Sequence, residues 1–97
     1  MINLEDNIKK FFKRKLEIEE TLSTSNLDTK EYATLSKELS DVTQVTDLSS
    51  LINSKKNELE DLYILLRDKG SDADLQDMAK EESKILENEL NSLNKKL

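Results

Sequence analysis

The sequence predicts an all-α protein: an elongated antiparallel three-helix arm, coiled-coil-like, with a long central second helix. Three observations carry this. Apolar residues recur at helical spacing from Leu4 to Leu97. The chain has no proline and one glycine, so almost nothing interrupts that periodicity. Charged residues make up 37%, hydrophobic ones 35% and aromatics 4%, which is the balance of long helices and coiled coils. All 97 residues read as a single helical domain of ordinary small size.

Helix 1 is expected over about 4–24. Leu4, Ile8, Phe11, Ile18 and Leu22 repeat at intervals of four, three, seven and four, with Phe12 and Leu16 beside them. At about 100° per residue they fall on one arc. Lys9, Lys10, Lys13 and Arg14 fall on the opposite arc, which makes a basic outer face. Lys15 points into the apolar arc, where its stem can lie along the core edge with the ammonium in water. Ser23, Thr24, Ser25 and Asn26 then favour a turn, because their side chains compete for backbone hydrogen bonds. Asn26 or Asp28 is placed to cap the next helix.

Helix 2 is expected over about 28–69. Tyr32, Leu35, Leu39, Val42 and Val45 lead into Ile52, Leu59, Leu62, Tyr63 and Leu66 without a break in period. The stretch TQVTDLSS, residues 43–50, has lower helix propensity, yet nothing in it stops a helix. Such a helix spans about 60 Å at about 1.5 Å per residue and needs support from the other two. Gly70 reads as the residue just past its end, and Lys69 suits the negative helix terminus.

Helix 3 is expected over about 72–97. Ser71 and Asp74 resemble a capping box, and Asp72, Asp74 and Asp77 favour a helix N-terminus. Ala79, Leu86 and Leu93 are seven apart, as are Leu90 and Leu97, which is a coiled-coil-like seam. Short turns make both successive helix pairs antiparallel.

The residue inventory excludes most chemistry. With no His and no Cys, the usual general base, thiol nucleophile and zinc ligands are missing. One glycine cannot build a phosphate-cradling loop. The aspartates of DADLQD, residues 72–77, begin like a calcium loop, but Asp77 and Ser83 stand where that loop needs Gly and Glu. No catalytic residue, cofactor, metal or small-molecule ligand is therefore expected. A net charge of −6 argues against a surface wholly devoted to nucleic acid. No apolar run is long enough for a membrane span, and the first ten residues lack a signal-peptide core, so the expected location is the cytoplasm.

KKFFKRK, residues 9–15, is the most suggestive surface. It reads either as a solvated helix face with Phe11 and Phe12 in the core, or as a strip that contacts phosphates through Lys9, Lys10, Lys13 and Arg14. Tyr32 and Tyr63 read as core residues with wet hydroxyls.

The order of three segments goes further. EYATLSKELSDV (Tyr32, Leu35, Ser36, Glu38, Leu39) is followed by LEDLYILLRD. LQDMAKEESKILENELNSLNKKL comes next, with Met78, Ala79 and Glu82 ahead of Leu86, Leu90 and Leu93. This order resembles the N-terminal helical domain of the bacterial class I peptide chain release factors, of the release factor 1 type, over roughly residues 30–97. KGSDAD, residues 69–74, departs from the Asp-Pro that many members carry in that turn.

The resemblance implies an N-terminal fragment of a longer translation termination factor. Such a factor reads stop codons in the ribosomal A site and triggers peptidyl-tRNA hydrolysis through Pro-x-Thr and Gly-Gly-Gln tripeptides, neither of which occurs here. It also implies a partner, the ribosome, met at the protein and RNA of the stalk base. An alternative reading of the same residues is a free-standing helical adaptor or coiled-coil structural protein. Taken alone, the chain would leave Leu90, Leu93 and Leu97 open to self-association.

Overall fold

A computed structural model describes residues 4–68 and 70–97, and among these the only regular elements are three α-helices. They are α1 (Leu4–Thr24), α2 (Thr29–Arg67) and α3 (Ala73–Asn94). The chain divides into two compact units, residues 1–49 and 50–97. Helix α2 is continuous through residues 43–50.

In the first unit α1 pairs with the start of α2 as an antiparallel hairpin. The intervening turn forms for the reason the sequence suggests. Thr21 and Thr24 donate their hydroxyls back to the carbonyls of Glu17 and Glu20, at 2.8 and 2.7 Å, and Ser23 donates to Glu20 at 3.0 Å. These hydroxyls bond back within the last turns of α1, and the Ser25 N–H takes the Thr21 carbonyl at 3.0 Å as the helix ends. Asp28 then caps α2, its Oδ1 accepting from the backbone N–H of Glu31 at 2.7 Å. Among the described residues of this unit, Ile18, Val42 and Thr46 are buried. Thr46 is satisfied locally, its hydroxyl donating to the Thr43 carbonyl at 3.1 Å.

The aromatic expectation for this unit is corrected. Phe11 and Phe12 are 37% and 40% exposed, and Tyr32 is 54% exposed. Leu16 is more open still. A pair of helices buries one narrow stripe on each partner, and α1 carries more apolar residues than that stripe can cover.

In the second unit the end of α2 pairs with α3. Ile52 is buried on α2, and Ala79, Ser83, Leu86 and Leu90 on α3. Ser83 stands seven residues before Leu90, so it belongs to the same seam. It is accommodated because its hydroxyl donates to the Lys80 carbonyl at 2.8 Å. Leu93 is half-buried and Leu97 exposed. Tyr63 is 39% exposed, not a core residue.

The turn between α2 and α3 differs from expectation. Helix α2 ends at Arg67, and Gly70 does not adopt a positive φ, so no left-handed glycine cap closes it. Asp68 makes the turn instead. Its N–H donates to the Leu65 carbonyl at 3.1 Å, its carboxylate accepts from Gly70 N–H at 3.0 Å, and its carbonyl accepts from Ser71 N–H at 3.3 Å. Asp72, not Ser71, caps α3, with Oδ1 accepting from Asp74 N–H at 3.2 Å. An ionised carboxylate at that place also complements the helix dipole, which a Ser hydroxyl does not. The role expected of Lys69 lies outside the described residues.

Candidate functional site

The basic strip is built on the first three turns of α1, where Lys9 and Lys13 stand one turn apart and Lys10 lies beside them. All three are exposed, and among the described residues no ion pair engages them. They form a patch of exposed ammonium groups, suited to phosphate or carboxylate oxygens.

Arg14 is placed differently from its sequence expectation. It is half-buried and turns to α2, where it holds Glu38 with two prongs. Nε donates to Oε2 at 2.5 Å and Nη2 to Oε1 at 2.8 Å. Nη1 reaches Glu17 at 3.4 Å, a weaker contact. The hydrogen bond to Arg14 holds the Glu38 carboxyl below the usual carboxylate range, and the same bond raises the Arg14 guanidinium further above its ordinary value. Helical periodicity put Arg14 with the lysines, because the 24-residue separation from Glu38 is invisible to a local reading.

The second unit has its own polar fastenings, none legible from period alone. Lys55 Nζ donates to Glu89 Oε2 at 2.5 Å, and this bond raises the Lys55 ammonium. The Tyr63 hydroxyl donates to Glu87, which raises the Tyr63 phenol. Gln76 Nε2 donates to the carbonyls of Leu65 and Asp68, each at 3.0 Å. It thereby adds a second donor to two carbonyls that already accept the backbone N–H groups of Asp68 and Ser71, and ties the start of α3 to the turn after α2. Gln76 sits seven residues before Ser83, so seven-residue spacing was the signal that could have found both. Among the described residues, no three of His, Cys, Asp or Glu are grouped to hold a metal ion, and no helix is long and apolar enough to cross a membrane.

Fold and surface together define an all-α domain made of helical hairpins, cross-tied by ion pairs and carrying charged faces. The PCRF domain profile matches residues 11–97, and the chain belongs to the PCRF domain family. It is similar to peptide chain release factor 1 of Wolbachia pipientis subsp. Culex pipiens (strain wPip), 32% identical over 82 residues. That alignment takes in 84% of this chain and 23% of the relative. It is also similar to peptide chain release factor 1 of Pelagibacter ubique (strain HTCC1062), 38% identical over 80 residues, which are 82% of this chain and 22% of the relative. The chain thus spans about a quarter of the length of these curated relatives. No solved structure matches it.

Proposed function

We infer that this chain is the helical docking domain of a bacterial translation termination factor. The observation that carries the reading is the family match over residues 11–97, joined by two relatives that are both peptide chain release factor 1. On this reading the chain is the N-terminal part of a longer protein. Stop-codon recognition and peptidyl-tRNA hydrolysis belong to other parts of it, through Pro-x-Thr and Gly-Gly-Gln tripeptides. The role of this domain is to hold the factor against the ribosome near the stalk base, in the cytoplasm.

The strip that sequence periodicity assigned to Lys9, Lys10, Lys13 and Arg14 supplies the RNA side of that contact, with Arg14 serving α2 first. Acidic faces elsewhere on the domain suit basic ribosomal protein.

Two experiments test this. Extending the reading frame beyond Leu97 should reveal Pro-x-Thr and then Gly-Gly-Gln, and a frame lacking both overturns the termination role. Co-sedimentation of the protein with ribosomes should fall steeply with salt, and binding indifferent to salt overturns the phosphate contact.

A further inference from the structure

The helix pair of the second unit has open flanks, and one of them is a shaped trough. Glu58, Asp61, Leu62 and Leu65 of α2, with Glu82 and Leu86 of α3, line a cleft of about 340 Å³. Leu86 is buried, Leu62 and Leu65 are half-buried, and all three carboxylate residues are exposed. The floor is therefore apolar and the rim acidic.

The trough continues toward the other end of the unit. A second hollow of about 410 Å³ is lined by Leu51, Lys55, Glu89 and Leu93, among others. Lys55–Glu58–Leu62–Leu65 and Glu82–Leu86–Glu89–Leu93 are rows at three- and four-residue spacing, so the two hollows follow one line. The Lys55–Glu89 ion pair straps the line between them. From Glu82 to Leu93 the line runs for about 16 Å, or three helical turns.

We propose that this trough binds an amphipathic helix of about three turns, with an apolar stripe and Lys or Arg along its flanks, presented by a partner protein. A third helix laid between α2 and α3 would cover Leu62 and Leu65 as ridges fill a groove. Its cations would meet Glu58, Asp61 and Glu82. Among the described residues lining the two hollows the one cation is Lys55, and it is paired with Glu89. An acidic helix or a nucleic acid would set like charges against the rim. The proposal goes beyond the termination reading and does not rest on it, since its test needs no ribosome.

The test titrates the 97-residue chain with a labelled 14-residue Leu/Lys peptide of helical pattern, followed by anisotropy and by amide chemical shifts. Two control peptides carry Glu in place of Lys, or Ser in place of Leu. Binding on the order of tens of micromolar is expected at low salt, with shifts confined to the trough. The variant E58Q/D61N/E82Q, changed only at exposed positions, should keep its melting temperature and bind about tenfold more weakly. The proposal is overturned if either control peptide binds as well as the Leu/Lys peptide, or if the rim variant binds unchanged. It is also overturned if sedimentation shows the chain's own second copy filling the trough.

Discussion

Arg14 on α1 and Glu38 on α2 form a two-pronged ion pair, 2.5 Å from Nε to Oε2 and 2.8 Å from Nη2 to Oε1. The planar guanidinium matches both carboxylate oxygens at once, which a lysine ammonium cannot do. This pair ties α1 to α2. Arg14→Lys should therefore lower the melting temperature by about 3 °C, a modest change because both side chains are roughly 40% exposed to screening water. Glu38→Gln should do the same, and the double variant should cost less than the two single changes added together.

The same pair makes an acid limb. Glu38 titrates below its ordinary range in the folded chain because Arg14 bonds its charged form. A lowered folded value means the contribution is present above the unfolded carboxylate pKa and is lost as pH falls through the folded one. Melting temperature measured between pH 7 and pH 2 should fall less steeply in Glu38→Gln than in the parent chain. Equal slopes would show that the pair does not couple to folding.

Tyr63 gives the opposite limb. Its phenol is raised by donating to Glu87, with desolvation adding to the effect. A raised folded value means the contribution is full below the ordinary tyrosine pKa and is lost as pH rises through the folded one. Tyr63→Phe should make the melting temperature fall less steeply from pH 9 to 12 than in the parent chain, the remaining fall coming from the Lys55–Glu89 pair as the raised Lys55 ammonium loses its proton.

The turn after α2 invites two contrasting substitutions. Gly70 has no positive φ, and a Cβ added there would meet Asp68 Oδ1 at 3.4 Å, an ordinary contact. Gly70→Ala should thus be neutral or stabilising by about 0.4–1 kcal/mol, through a less free unfolded chain. Gln76→Ala should cost about 0.5–1 kcal/mol, because the Leu65 and Asp68 carbonyls each lose one of two donors and keep the backbone N–H of Asp68 and Ser71. Urea unfolding of both variants checks the pair of signs.

Much of this fold was legible because helices announce themselves locally. Ile18, Val42, Ile52, Leu86 and Leu90 all lie on the periodic apolar positions and are all buried. What escaped is non-local or polar. Phe11 and Phe12 have the right spacing, but how much a two-helix contact covers is not written in spacing. Thr46 and Ser83 are buried despite their hydroxyls, because each hydroxyl is satisfied one turn back. Arg14, read with the lysines of the candidate strip, is drawn to α2 by a glutamate that local pattern could not associate with it.

That displacement of Arg14 gives the basic strip a count. If all four cations contacted phosphates, neutralising any one should reduce the salt dependence of ribosome binding equally. The geometry separates them. Lys9, Lys10 and Lys13 are exposed and unengaged by any ion pair among the described residues, whereas both prongs of Arg14 are committed to Glu38. Releasing Arg14 to a phosphate would strand Glu38, which offsets the gain. On the docking reading, neutralising the three lysines to Gln should therefore flatten the log–log salt slope by about 2, as expected for about three released counterions. Those exposed changes should leave the melting temperature alone. Arg14→Gln should do the reverse, lowering the melting temperature while the slope changes by less than about 0.5. Ribosome co-sedimentation across a salt series, paired with thermal melts of the same variants, reads both quantities. A slope that responds as strongly to Arg14 as to each lysine would mean that Arg14 leaves Glu38 on binding.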